Sequence, residues 1–256
     1  MRRSAFMVAA TAAFLGFGLP QATFAADLAV KAPPAPVVVV PSWTGFYIGI
    51  DGGFARAHYS HDFNTAGHYN FFPGDTFDYN DSGGMLGGHF GYNWQVNQWV
   101  FGIEGSIAKP WVNSNNNISP FFPASDVWTS KVKWIATITP RLGYAAGNAL
   151  FYVKGGWAYA RTNDYVQDFV DYVDASLDQS GWTAGVGIEY LFAHNWIVGF
   201  EYNHYDFGKD NITASSIPLG GGAPFAFGTN HDFGVKLDSV LARISYKFGG
   251  PAVANY

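Results

Sequence analysis

The sequence predicts an all-β fold: a closed, eight-stranded, antiparallel, up-and-down transmembrane β-barrel, preceded by a signal peptide and a Pro-rich linker. Three observations predict it. Apolar residues after Ser42 recur with period two rather than 3.6, the charge is low beside a large aromatic content, and long and short connections alternate strictly.

Composition bounds the classes first. The 256 residues are 48% hydrophobic, 18% aromatic and only 13% charged, where an ordinary globular domain is about 25% charged. Glu104, Glu189 and Glu201 are the only glutamates, and there is no Cys. So apolar a chain is not disordered. Without Cys it has no disulfide scaffold, thiolate metal site or cysteine nucleophile. A net charge of −5 with no basic tract argues against a nucleic-acid partner.

The N-terminus reads as an export signal. Arg2 and Arg3 precede an apolar run from Phe6 to Leu19, and Thr23-Phe24-Ala25 places small residues at −3 and −1 for cleavage after Ala25. The run is shorter than the roughly 20 residues of a transmembrane helix. Residues 1–25 are therefore expected to be a signal peptide, removed on export. Residues 26–42 are expected to be a periplasmic linker, since Lys31-Ala32-Pro33-Pro34-Ala35-Pro36 favours polyproline II. The barrel is assigned to 43–248 and a short C-terminal extension to 249–256.

Eight amphipathic runs follow, each with a large apolar face and a small or polar one. The first sets Phe46, Ile48, Ile50 and Phe54 against Tyr47, Gly49, Asp51 and Gly53. The second sets Leu86, Phe90, Tyr92 and Trp94 against Gly87, His89, Gly91 and Asn93. The third has Trp99, Phe101, Ile103 and Ile107 opposite Gly102, Glu104 and Ser106. The fourth has Val132, Trp134, Ala136, Ile138, Leu142 and Tyr144 opposite Lys133, Thr137, Thr139 and Arg141. The fifth has Phe151, Val153, Trp157 and Tyr159 opposite Lys154, Gly156 and Ala158. The sixth sets Trp182, Ala184, Val186, Ile188 and Tyr190 against Thr183, Gly185, Gly187 and Glu189. The seventh sets Trp196, Val198, Phe200 and Tyr202 against Gly199, Glu201 and Asn203. The last sets Val240, Ala242, Ile244, Tyr246 and Phe248 against Arg243, Ser245 and Lys247.

A soluble β-sandwich also alternates, but its polar faces carry many charges. These polar faces are glycine-rich and sparsely charged. The pattern therefore predicts apolar faces turned outward to lipid and small or polar faces turned into a closed barrel, since closure satisfies the backbone groups that hydrocarbon cannot. Pro140 removes a ladder donor and is expected at a bulge or near the periplasmic rim.

Val96-Asn97-Gln98, Ala146-Gly147-Asn148 and Ala193-His194-Asn195 form short connections; the segments 57–81, 113–128, 164–178 and 208–235 are expected to be long ones. That alternation is the periplasmic-turn and outer-loop pattern of bacterial outer-membrane barrels, and it puts both chain ends in the periplasm. Tyr92, Trp94, Trp99, Tyr144, Phe151, Tyr190, Phe192 and Trp196 cluster beside the short turns, as an aromatic girdle does.

Ala26-Asp27-Leu28, Trp43-Thr44-Gly45-Phe46-Tyr47-Ile48-Gly49, Gly102-Ile103-Glu104-Gly105, Arg141-Leu142-Gly143-Tyr144, Gly187-Ile188-Glu189-Tyr190 and Ala242-Arg243-Ile244-Ser245-Tyr246-Lys247-Phe248 stand in an order and spacing that resembles the small outer-membrane immunogenic proteins of alphaproteobacteria, within the OmpA-like eight-stranded barrels. The resemblance implies an abundant, surface-exposed envelope protein in the bacterial outer membrane that stabilises that membrane; some relatives are porins. It implies as partners the outer-membrane lipid and lipopolysaccharide, and the insertion machinery during assembly. Tyr246 and Phe248 are the candidate C-terminal insertion signal. Eight residues follow Phe248, however, so Tyr256 is the other candidate.

By parity Glu104, Glu189 and Glu201 point inward together with Lys133, Arg141, Lys154, Arg243 and Lys247. An eight-stranded barrel is just wide enough to be filled by side chains, and buried charges must pair, so a charge network is expected in the lumen. No cofactor is expected, and no catalytic or metal site. A plugged barrel offers no cleft for a catalytic carboxylate pair. Asp164, Asp168, Asp171, Asp174 and Asp178 read as a solvated acidic loop without EF-hand spacing. His58, His61 and His68 are assigned to the first loop, where His-x-x-His lacks a further ligand pattern. The functional expectation is a structural, surface-interacting barrel. The alternative is a small porin for small solutes, and a lipid-modifying enzyme is set aside because Ser60, His58 and His61 form no recognisable triad.

Overall fold

The computed structural model describes residues 39–65, 71–118, 126–193, 195–225, 228–249 and 252–253. The signal peptide, nearly all of the Pro-rich linker, His68, His194 and Tyr256 lie outside the described residues. Eight long strands dominate those described: β1 (Gly45–Phe63), β2 (Thr76–Val96), β3 (Trp99–Pro110), β4 (Val127–Ala146), β5 (Ala149–Gln167), β6 (Asp171–Phe192), β7 (Trp196–Ser215) and β8 (Gly228–Lys247). Each pairs antiparallel with the next in sequence. β8 returns to β1, with Lys247 opposite Tyr47 and His231 opposite Phe63. The pairings make one antiparallel, up-and-down ring. A short strand, Asn113–Ile118, continues the β3 edge along β4, and Val39–Val40 pairs with Ala252–Val253.

The outward faces in the half of the ring next to the short turns are apolar and exposed. Phe46, Ile48, Ile50 and Phe54 on β1 are 54–77% exposed, and Phe90, Ile103, Ile138, Val153 and Phe200 continue the band. In water so broad an apolar surface would drive aggregation; against lipid tails it costs nothing. The aromatics beside the short turns point outward as well, and Phe46–Tyr92, Trp99–Tyr144 and Trp196–Tyr246 meet edge-on at 4.7, 5.6 and 5.3 Å. Ile50→Arg places a charge in this band and is expected to lower folding stability by about 2–4 kcal/mol. The urea midpoint after refolding into lipid vesicles reads this, and a midpoint equal to that of the unmodified protein would contradict the lipid-facing assignment.

The strands run far beyond the ends expected from the sequence. The connections 57–81, 164–178 and 208–235 shrink to 64–75, 168–170 and 216–227, and the connection 111–126 holds the strand Asn113–Ile118. The reason is an inversion of pattern. Period two persists toward the long-connection end, but its sign reverses: Ser60 and Asp62 turn outward while Tyr59, His61 and Phe63 turn inward, and on β8 Asn230 and Asp232 flank the buried His231 and Phe233. An apolar-outward criterion ends each strand where this reversal begins.

Two local irregularities also differ from expectation. Pro140 makes no bulge: it pairs with Ile103, and the ladder to β5 passes from Ile138↔Trp157 to Arg141↔Lys154 without a shift. The bulge falls between Val132 and Trp134. It reverses the parity below it, so Val132 is buried and Lys133 exposed.

Inside, side chains fill the ring in three layers. Next to the short turns, Trp43, Val100, Leu150, Leu191 and Ile197 form a small apolar cluster. Glu104, Arg141, Lys154 and Glu201, each four positions from Val100, Ala145, Leu150 or Ile197 of that cluster on the same strand, form a charged layer with Arg243. Beyond it lies a larger apolar core that includes Tyr59, Phe63, Phe71, Tyr79, Trp128, Phe207, Phe233 and Leu237.

Candidate functional site

The charged layer is built by strand parity. Glu104, Arg141, Lys154, Glu189, Glu201 and Arg243 come from six strands, each at an inward position, and each is at most 8% exposed. Arg243 is the hub. Its Nη2 lies 2.6 Å from Glu104 Oε2 and its Nε 3.0 Å from Asp51 Oδ1. Its Nη1 pairs with Glu201 and donates to the Tyr152 hydroxyl at 2.8 Å. Arg141 Nη2 donates to Glu189 Oε2 at 2.8 Å and its Nη1 to the Tyr47 hydroxyl at 3.0 Å. Lys154 bridges Glu104 Oε1 at 2.9 Å and Glu201 Oε1 at 2.7 Å.

Tyrosine rings complete the layer. Tyr47 donates to Glu104 Oε2 at 2.9 Å and Tyr152 to Glu201 Oε2 at 2.5 Å. The Arg141 guanidinium lies 3.8 Å from the Tyr152 ring centre, in cation–π contact. Glycine makes room for this packing. A Cβ at Gly91 would run into the Tyr47 hydroxyl, and one at Gly187 into the Tyr152 ring. His89 extends the network, with Nδ1 2.9 Å from Asp51 and Nε2 2.7 Å from Ser245 Oγ.

Such a cluster survives burial because each carboxylate has at least one cationic partner, and Glu104 and Glu201 also accept from tyrosine hydroxyls. A lone charge here would cost several kcal/mol. Chemically the layer holds a lattice of fixed charges across the lumen. Its donors and acceptors face one another rather than an open cleft.

Six of the eight residues expected in the lumen network therefore meet in one cluster. Lys133 does not: the bulge turns it outward, where Nζ donates to Ser176 Oγ at 3.1 Å. Lys247 is buried but stands apart, its Nζ 3.4 Å from the Thr44 carbonyl. Tyr47, Asp51, His89 and Tyr152 also belong to the network, beyond the charged residues expected from the sequence, and parity alone places all four inward. The aromatic residues Tyr92, Trp94, Trp99, Tyr144, Phe151, Tyr190, Phe192 and Trp196 are 37–61% exposed on the outer face. Tyr246 and Phe248 also point outward, and the Phe248 amide donates to the Phe46 carbonyl at 2.7 Å.

The acidic segment 164–178 is a strand hairpin, not a solvated loop. Asp164 points inward, and Asp168 Oδ1 accepts from the amides of Val170 and Asp171 at 2.7 and 2.8 Å in the turn. His58 and His61 are on β1, three positions apart, which on a strand means opposite faces. His58 pairs with Asn80 on the outer face, while His61 is fully buried.

A ring of antiparallel strands with an apolar outer band, aromatics beside its short turns and paired charges inside is the build of an outer-membrane β-barrel protein. The family model described as outer membrane protein beta-barrel domain matches residues 9–248, and the chain belongs to that family. It is 34% identical over 203 residues to the 31 kDa outer-membrane immunogenic protein of Brucella melitensis, covering 73% of this chain and 82% of that one. It is 30% identical over 176 residues to the 22 kDa outer membrane protein of Rhizobium leguminosarum, covering 69% and 70%. Among solved structures it is similar in fold to the outer membrane protein OprG from Pseudomonas aeruginosa, with a TM-score of 0.51, 20% identity, and 81% and 97% of the two chains covered. The protein is an outer-membrane protein, as the resemblance read from its motifs implied.

Proposed function

We propose that the ring is a closed eight-stranded transmembrane barrel whose function is structural: it reinforces the outer membrane, presents its outer end at the cell surface, and performs no catalysis. The observation that carries this reading is the filled lumen. An ionic layer centred on Arg243 is packed between two apolar layers, so opening a path for solutes would require separating buried ion pairs and displacing aromatic rings. Lipid and lipopolysaccharide are its natural partners, because the outer band supplies an apolar wall of spanning type. The insertion machinery would read the outward Tyr246 and Phe248 during assembly.

The small-porin reading has one observation in its favour: the charges that would form a selectivity gate already lie across the lumen. Planar-bilayer recording separates the two. The unmodified protein is expected to give no reproducible discrete openings, and Glu104→Ala is expected to introduce transient ones. Regular openings of the unmodified protein, altered by Glu104→Ala, would establish the porin and overturn the structural reading.

A further inference from the structure

The aromatic core beyond the ionic layer holds three side chains that do not belong with hydrocarbon. His61 on β1, Asp164 on β5 and His231 on β8 are 0%, 3% and 0% exposed. His61 Nε2 lies 3.3 Å from Asp164 Oδ1, and His231 Nε2 lies 3.3 Å from Asp164 Oδ2. One ligand atom from each falls within 4.8 Å of the others. No local motif announces them. The sequence separations are 103 residues from His61 to Asp164 and 67 from Asp164 to His231.

The remaining ring nitrogens define the chemistry. His61 Nδ1 lies 3.2 Å from the Phe77 carbonyl oxygen, and His231 Nδ1 lies 2.7 Å from Thr229 Oγ1. A carbonyl can only accept, so His61 Nδ1 carries the proton. In the neutral ring, Nε2 then presents a lone pair to a carboxylate, which is also an acceptor. Two acceptors facing each other in a dry core require a positive charge between them. A ring N–H held by a carbonyl, with the other nitrogen turned to a shared point, is how metal-binding histidines are oriented. Ligand bonds of about 2.0–2.1 Å in a tetrahedral site put neighbouring ligand atoms about 3.3–3.4 Å apart; each His–Asp contact has that separation, to a different carboxylate oxygen, and an ion draws in a set of single ligand atoms that lie within 4.8 Å of one another.

We propose that His61, Asp164 and His231 form a buried binding site for one divalent transition-metal ion of the zinc type. Two imidazole nitrogens with one carboxylate suit such an ion better than Ca²⁺ or Mg²⁺, which take oxygen ligands. Three protein ligands leave one position open. Ser130 Oγ donates to Asp164 Oδ1 at 2.5 Å and contacts the Tyr79 hydroxyl at 2.5 Å, so the carboxylate is oriented from a second direction. β1 and β8 are neighbours, whereas β5 is the fifth strand of the ring. A bound ion therefore ties opposite walls together across the outer half of the lumen.

The test refolds the full chain in detergent with and without Zn²⁺, removes loose metal on a chelating resin, and measures retained zinc by mass spectrometry. Co²⁺ is used in parallel as a spectroscopic probe. The expected result is one zinc per chain, an SDS-resistant band that survives to higher temperature with metal, and the visible absorption of tetrahedral Co²⁺. Among variants that still give a heat-modifiable folded band, His231→Gln and Asp164→Asn are expected to retain about tenfold less zinc or lower still, while His58→Gln retains it fully. If the variants fail to fold, the zinc content and Co²⁺ spectrum of the unmodified protein decide. A refolded unmodified chain without zinc overturns the proposal and leaves a proton as the bridging charge. Equal retention by folded His231→Gln and Asp164→Asn overturns it too.

Discussion

Arg243→Ala is expected to destabilise the folded protein by about 3–5 kcal/mol, the cost of removing one partner from a buried ion cluster. The argument rests on what is left behind. Arg243 contacts Asp51, Glu104, Glu189 and Glu201. Without it, Arg141 and Lys154 are the permanent cations left among those four carboxylates in the layer. No water can take over at such burial without opening the layer. A loss of this size lowers the folded-to-unfolded ratio by about two to three and a half powers of ten, at 1.4 kcal/mol per tenfold. Urea unfolding of detergent-refolded protein, followed by tryptophan fluorescence and by gel mobility before and after boiling, gives the value. Adding Glu201→Gln to Arg243→Ala removes one orphaned charge and is expected to recover part of the loss. A single-variant loss below about 1 kcal/mol would place the pair in the class of exposed ion pairs and contradict the dry, filled lumen.

Trp128→Ala is expected to cost a comparable amount, about 3–5 kcal/mol, by a different mechanism. Trp128 is fully buried in the outer core. Its indole meets His61 at 5.0 Å, Phe71 at 5.7 Å and His231 at 5.5 Å, all close to edge-on. Those partners come from β1, the connection between β1 and β2, and β8, so no single strand can move to fill the void. Trp99→Ala is the control. Trp99 is 51% exposed on the outer face, its removal leaves no interior cavity, and its effect should be much smaller. Equal effects would mean that the outer core is not packed as the structure has it.

The two substitutions probe layers that were unequally legible in the sequence. Parity along strands that are apolar on one side and small on the other placed Glu104, Glu189 and Glu201 inside, with Arg141, Lys154 and Arg243 opposite them. Side-chain period two is a local property of the extended chain, so a local reading recovers it. It failed for Lys133, because a bulge inserts one residue and reverses the parity on one side of it. Nothing in Val132-Lys133-Trp134 announces that bulge. Pro140, which does look irregular, keeps its register.

The outer half is less legible for a subtler reason. Its strands alternate as regularly as the inner half, but with polar residues outward and aromatics inward. An apolar-outward pattern therefore ends at the change of surroundings rather than at the end of the strand. Asp164, His61 and His231 therefore read as loop residues in the sequence, although the structure places all three on strands.

What the sequence by itself determined is the class of the protein. Its period-two patterning, scarce charge and aromatic placement beside three short turns are properties of residues close along the chain, and they define an outer-membrane barrel and most of its inner charged layer. What only the tertiary structure decided is which inward residues meet across the ring. Contacts such as Arg243 with Glu104, or Asp164 with both His61 and His231, join strands far apart in sequence, and their geometry depends on how the whole ring pairs. One bulge changes which face a side chain takes, and the ring brings together residues from strands that never touch along their edges.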